Sequence, residues 1–277
     1  MKPLIIYHGD CNDGFGAALA AYLKYGDKAQ YIPGMYDGFV PEVTGRDVLI
    51  FDYHFKHDVL IEMHSKANSL LLLDHHATVM DSLSDLPYAQ FDINKSGAML
   101  AWEYFFKDSA PEMFYWLQDR DLWLNQYPES NSFFYYLNSH PYDLKVWAQI
   151  YYDLQDNNKR DSILNTGNQI YSYYKIQLEL LLKHHAKEII IDGVKGWIIN
   201  TNKMFATEAG SILARRYNTF ALIWSVNEKN MVGCSVRSVD NCSARKIAEE
   251  YGGGGHEHAS KFRMSINQFM DEFLTKH

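Results

Sequence analysis

Three short segments of this chain are apolar without alternation: Leu4 to Tyr7 in "PLIIYHGDCNDG", Val48 to Phe51 in "RDVLIFDYHF", and the leucines of "SLLLLDHH". Such runs suit strands buried on both faces, as in a parallel sheet. Between them, "GFGAALAAYLKY" and "KHDVLIEMHSKA" carry apolar positions at helical spacing. Strand, helix, strand, helix, strand predicts an open α/β sheet. Residues from about 97 to 185 read as helical, in "GAMLAWEYFF", "APEMFYWLQDRDLW" and a long segment from about Ser162 to Lys187. From Glu188 onward strands and helices alternate again, with Thr207 and Ser243 placed as helix N-caps. The pattern therefore predicts two α/β domains. An N-terminal parallel-sheet domain covers 1–187, its segment 162–187 serving as a helical linker, and a smaller C-terminal domain covers 188–277.

The polar residues that follow the apolar runs carry the chemistry. The first run leads into His8, Asp10 and Asp13, the second into Asp52, and the third into Asp74, His75 and His76. In open α/β sheets ligands bind beyond the carboxyl ends of the strands, where all three clusters fall. Carboxylates and imidazoles are the donor set of Mn²⁺, Zn²⁺ or non-haem iron. Asp119 and Asp121 of "WLQDRDLW" offer further oxygens. So many acids cannot crowd together ionised without cations, and a pair of divalent ions about 3.5–4 Å apart would neutralise them. Asp52, alone at the middle tip, is the natural bridge; His75 suits a metal, and His76 suits a substrate phosphate or a proton. His54, His57, His64, His140, His184 and His185 are given no functional role.

Composition narrows the class. With 277 residues, 47% of them hydrophobic, and 20 tyrosines, the chain can bury a sizeable core. No apolar run approaches the roughly 18 residues that span a bilayer, and the start lacks the features of a secretory signal. Three cysteines, Cys11, Cys234 and Cys242, form neither a disulfide framework nor a zinc-finger spacing. A cytoplasmic protein is expected, with no membrane partner. A formal charge of −8 argues against gripping long duplex nucleic acid by its phosphates. Short or small phosphorylated substrates remain compatible with it, as does a homodimer.

In the C-terminal region "SARKIAEEYGGGGHEHA" runs a capped helix into four glycines and His256. Glycines 252–255 can adopt positive φ and bring backbone N–H groups close to an anion. Arg237, in "CSVRSVD", offers a forked donor for a phosphate or a base edge.

Asp74-His75-His76 after an apolar strand, the acid-rich loop after the first strand and the lone Asp52 after the second resemble the DHH phosphoesterase superfamily. "YGGGGHEHASKF" is similar to the glycine-rich motif of its partner domain, DHHA1. Together the two cover nearly the whole chain. The resemblance implies a hydrolase of phosphoester or phosphoanhydride bonds with two divalent ions, Mn²⁺ foremost and Zn²⁺ or Fe²⁺ as alternatives. His8, Asp13, Asp52, His75 and Asp119 then match ligand positions. His76 matches the histidine that faces substrate phosphate, and Asp52 and Asp74 join it in the catalytic group. The first motif departs from the usual Asp-x-Asp pair, and Asp10, Cys11 or Asn12 could complete it; Asp10 is favoured. By the same resemblance Arg237, Gly253, Gly254, Gly255 and His256 bind substrate.

The expected function is a phosphodiesterase with 3′–5′ exonuclease or oligoribonuclease character, hydrolysing short linear oligonucleotides such as dinucleotides. Rival readings are a phosphomonoesterase for 3′-phosphoadenosine 5′-phosphate, a cyclic dinucleotide phosphodiesterase and, less well, a pyrophosphatase. A non-catalytic nucleotide-binding protein is the alternative from a different class.

Overall fold

Each apolar run forms a strand. The computed structural model describes residues 2–35, 38–227 and 230–274. By internal contacts it falls into two compact units, Met1–Ser172 and Tyr173–His277. The division lies inside the long helix Asn157–His185.

The first unit is built on β1 (Leu4–His8), β2 (Gln30–Gly34), β3 (Asp47–Phe51), β4 (Ser69–Asp74) and β5 (Ala89–Phe91), in the order β2-β1-β3-β4-β5. All of its pairings are parallel. Because successive side chains of a strand point to opposite faces, the same short runs feed two cores. Ile5, Tyr7, Leu49, Phe51 and Leu73 join one cluster, and Leu4, Ile6, Val48, Ile50, Leu70 and Leu72 join the other. Helices α1 (Asn12–Tyr25), α4 (Gly97–Phe105), α5 (Glu112–Asp121), α6 (Glu129–Asn138) and α7 (Leu144–Asp153) contribute to the first cluster. Helices α2 (His57–Lys66) and α3 (Ala77–Leu83) contribute to the second. From Asp13 to Ala21 every residue of α1 is buried, so this helix is central rather than amphipathic. Neighbours lie on both sides of β1, and the chain reverses direction across the sheet between β1 and β3. That is the switch point at which open α/β sheets hold ligands.

The second unit begins within α8 (Asn157–His185) and holds a six-stranded mixed sheet. Its strands are β6 (Lys187–Ile191), β7 (Val194–Asn200), β8 (Phe220–Val226), β9 (Met231–Ser238), β10 (Gly254–His256) and β11 (Ala259–Ser265), ordered β10-β11-β9-β8-β7-β6. Among the described residues only β7 and β8 pair in parallel, joined by α9 (Lys203–Tyr217). One sheet face buries Phe220, Leu222, Val232, Cys234, Val236 and Phe262 with α10 (Ala244–Glu250) and α11 (Ile266–Phe269). The chain is thus α/β in both units, with a five-stranded parallel sheet in the first.

Two local expectations change. Asn202, not Thr207, caps α9, its side chain accepting from the Met204 amide; Thr207 lies one turn inside the helix. Ser243 does cap α10, accepting from Lys246. The glycine run is part turn and part strand: Gly252, with a positive φ of 73°, ends α10, and Gly254–His256 form the edge strand β10 against β11, Gly255 again at positive φ. A Cβ at Gly255 would lie 2.7 Å from the Ala259 carbonyl, so the close pairing of β10 with β11 needs glycine there. Among the described residues no helix is long and apolar enough to cross a membrane.

Candidate metal centre

Beyond the ends of β1, β3 and β4 the polar tips converge. Asp52 follows β3 with φ 55°, a left-handed conformation that Asp tolerates better than most residues. Its amide donates to the Leu73 carbonyl at 3.0 Å, which ties the turn to β4. Asp13 lies in the first turn of α1, and its carboxylate accepts from the Gly97 and Ala98 amides at 2.5 and 3.0 Å. An acid at the start of α4 is where the helix dipole favours it. A Cβ at Gly97 would collide with the Asp52 side chain and sit 2.9 Å from Asp13 Oδ2. Only glycine lets α4 approach the two acids this closely.

Three overlapping sets of side chains offer donor atoms within 4.8 Å of one another: Asp52, Asp74, His75 and His76; His8, Cys11 and Asp52; and Asp13, His75 and Asp121. His75 Nε2 stands 3.1 Å from Asp52 Oδ1, 3.4 Å from Asp121 Oδ2 and 3.8 Å from Asp13 Oδ2. The other Asp52 oxygen, Oδ2, lies 3.6 Å from His8 Nδ1. Asp52 is 1% exposed, and its Oδ2 has no hydrogen-bond partner among the described residues.

The charges are strongly coupled. Burial and the charges of Asp121 and Asp52 raise Asp13 well above the carboxylate range. Burial, with repulsion from Asp52, pushes Asp121 up to about 6. Burial opposes a charged His75 ring, but its bond to Asp52 and the charges of Asp121 and Asp13 outweigh burial and push it up to about 9. Burial and then the charges of Asp52 and Asp13 raise the Cys11 thiol. Without metal, protons neutralise the cluster; a divalent cation replaces them. The donor set fits divalent ions: carboxylate oxygens and imidazole nitrogens converge, and a buried carboxylate oxygen is unsatisfied.

Asp74 lies beneath this surface and is wholly buried. Its Oδ1 accepts from the His75 and His76 amides at 2.7 and 3.2 Å. His76 Nδ1 stands 2.7 Å from Oδ1, and His54 Nδ1 stands 3.3 Å from Oδ2. Burial opposes its ionisation, yet the bonds from His54 and His76 hold the carboxyl well below the usual carboxylate range. An ionised carboxylate only accepts, so His76 carries its proton on Nδ1 and keeps Nε2 for another partner. The bond to Asp74 raises His76 against the opposing effect of burial. Asp74 therefore fixes the orientation of the histidines rather than facing a ligand.

Of the candidate ligands, the structure brings His8, Asp13, Asp52 and His75 together and leaves two outside. Asp10 is exposed, has φ 53°, and joins none of the three sets. Asp119 is 3% exposed, but its Oδ1 accepts from the Gln126 amide at 2.6 Å and so anchors the loop after α5. Asp121, two residues further on, reaches His75 instead. Cys11 joins the cluster at the N-cap of α1. Asn12 is engaged elsewhere, donating to Asn138 Oδ1 and accepting from the Tyr142 hydroxyl. His54, given no role from sequence, supports Asp74; its position two residues after Asp52 was the available signal.

In the second unit Gly252 and Gly253 line a cleft of about 630 Å³ with Lys203, Lys261 and Arg263. Among the described residues three cations and no acid line it, in a chain of net charge −8. Burial, then the charges of Arg237, Lys203 and Arg263, lower the Lys261 ammonium below its ordinary value. Arg237 is half-buried in β9, next to this crowd, and donates to the Val236 carbonyl at 3.1 Å. Gly254, Gly255 and His256 lie in β10, with His256 exposed.

No family model matches the chain. An uncharacterized protein of Acanthamoeba polyphaga mimivirus is 28% identical over 289 residues, covering 95% of this chain and 67% of that protein. An uncharacterized protein from Helicobacter pylori, at 16% identity, covers 95% of this chain and 93% of its own with a TM-score of 0.45. The pGpG-specific phosphodiesterase PggH from Vibrio cholerae is 16% identical and superposes with a TM-score of 0.56 over 98% of this chain and 95% of its own. The two-unit α/β chain shares its fold with that phosphodiesterase, and its buried Asp and His cluster can hold metal ions.

Proposed function

We propose that this protein is a divalent-metal-dependent phosphodiesterase acting on short linear oligonucleotides, dinucleotides foremost. The observation that carries the reading is Asp52: a buried carboxylate at the sheet's switch point, one oxygen toward His75, the other toward His8 and without a hydrogen bond among the described residues. Its fold is that of a protein whose substrate, pGpG, is a linear dinucleotide.

His8, Asp13, Asp52, His75 and Asp121 would hold the ions, foremost Mn²⁺. When bound, such ions neutralise phosphate charge and activate water. The remaining work belongs to the chain. Asp74 locks His76 with Nε2 outward, where the ring donates to a phosphoryl oxygen or hands a proton to the leaving oxygen. His54 holds Asp74 from its other side. In the second unit Lys203, Lys261 and Arg263, with Arg237 close by, form a separate group of cations suited to an anion. A local group of cations suits a small substrate on an acidic protein, where a long polyanion needs a basic face.

The test is Mn²⁺-dependent turnover of 5′-phosphorylated RNAs from dinucleotides to chains of about two dozen residues, beside 3′-phosphoadenosine 5′-phosphate and cyclic dinucleotides. Cleavage concentrated on the shortest linear species supports the proposal. Turnover of the monoester or the cyclic compounds alone would replace it with the corresponding rival. Binding without turnover of any of them would leave a nucleotide-binding protein.

A further inference from the structure

The donor sets that meet at Asp52 differ in chemistry. Asp13, His75 and Asp121 offer oxygen and nitrogen only, whereas His8, Cys11 and Asp52 offer nitrogen, sulfur and oxygen. Asp52 takes part in both directions, Oδ1 3.1 Å from His75 and Oδ2 3.6 Å from His8. Its Oδ2 is the buried oxygen with no hydrogen-bond partner among the described residues, and His8 and Cys11 offer donor atoms within 4.8 Å of Asp52 and of each other. The neighbours in sequence do not compete for this place. Asp10 is exposed, and both polar atoms of the Asn12 amide are bonded to Asn138 and Tyr142. Those two bonds also pin the first turn of α1, and with it the position of Cys11 at the N-cap.

We infer that Cys11 is a thiolate ligand, making His8, Cys11 and Asp52 a borderline-soft subsite for zinc or ferrous iron beside a harder oxygen-rich subsite at Asp13, His75 and Asp121. Thiolates select zinc and iron over manganese, and carboxylate-rich sets suit manganese. On binding, the Cys11 S–H bond breaks, the proton passes to water and the sulfur lone pair goes to the ion; nothing is oxidised or reduced. This assignment rests on the metal centre of the proposed function and gives its two positions different preferences.

Cobalt(II) titrated into the metal-free protein tests it, because a sulfur ligand gives a near-ultraviolet thiolate-to-cobalt charge-transfer band that oxygen and nitrogen ligands do not. The band is expected in the wild type and in Cys234→Ser, whose cysteine lies in the hydrophobic core of the second unit. It should be absent from Cys11→Ser and Cys11→Asp. In direct competition, Cys11→Asp should lose more than about tenfold of the preference for zinc over manganese, since even residues behind metal ligands shift affinity by that much. Circular dichroism of each variant separates loss of a ligand from loss of fold. Cobalt bound without the band, or a band that survives Cys11→Ser, overturns the sulfur ligand and leaves the phosphodiesterase reading standing. No cobalt bound to the folded wild type overturns the metal centre itself, and the functional reading with it.

Discussion

Replacing Asp74 by Asn keeps the shape of a wholly buried side chain and removes its charge. In the native protein Asp74 accepts from two backbone amides and is approached by the His76 and His54 rings at 2.7 and 3.3 Å. Hydrogen bonds to a charged group contribute about 1.5–3 kcal/mol, and neutral ones about 0.5–1.5 kcal/mol. Two imidazole contacts that change class cost about 2 kcal/mol. The pH dependence gives the sharper test. His76 is raised by Asp74, so its share of the stability is fully present below the ordinary histidine pKa and is lost as pH rises through the raised value. Asp74 is depressed, so its share is present above the ordinary carboxylate pKa and is lost in stronger acid. Both shares are therefore intact near about pH 5.5, and the His76 share falls away as pH rises through its raised value. Urea unfolding of metal-free wild type and Asp74→Asn should show a loss of about 2 kcal/mol at the lower pH and a smaller loss at alkaline pH. Equal losses at both pH values, or a variant as stable as the wild type, would refute the assignment of Asp74 as the charged anchor of His76.

Metal affinity should rise about tenfold or more per pH unit between about 6 and 9, because ions compete with the protons on Asp121 and His75. A flat profile in chelator competition would contradict the coupling. Asp121→Asn should weaken metal binding by more than about tenfold while leaving metal-free stability level or improved, since one repelling acid is gone. Asp119→Asn should lower stability by about 1 kcal/mol through its bond to Gln126 and leave metal affinity near that of the wild type. Lys261→Ala should weaken dinucleotide binding about tenfold to a hundredfold, with Mn²⁺ affinity unchanged, in titrations of the two ligands separately.

The strands that carry His8, Asp52 and Asp74 were legible because both of their faces are buried, which leaves an unbroken apolar run. The edge strand Gln30–Gly34 has no such run, being partly exposed and holding Gln30, Pro33 and Gly34, and only the folded sheet reveals it. Asp119 and Asp121 show a different limit. Two residues apart on a helix they project roughly 200° apart, so one faces the loop and the other the site. Choosing between them requires knowing which side of α5 meets the sheet. Asp10 and Cys11 differ in placement, Asp10 exposed with φ 53° and Cys11 beside His8 and Asp52, and composition cannot supply that difference. The glycine run was read for its freedom, and the fold uses both freedom and closeness: Gly252 and Gly255 take positive φ, while Gly253 and Gly255 let the backbone pack against β11.

The donors of the metal centre run from position 8 to position 121 and sit at the tips of three strands and on two helices. The acid at Asp13 is held by amides of α4, which the ribosome makes much later. A growing chain therefore owns only scattered ligands until α5 has emerged and the sheet has closed. Local pairs such as His75 and His76 cannot reproduce the full set. Any ion this cluster holds would therefore be captured late in biogenesis, and metal content would count the molecules whose first unit has finished folding.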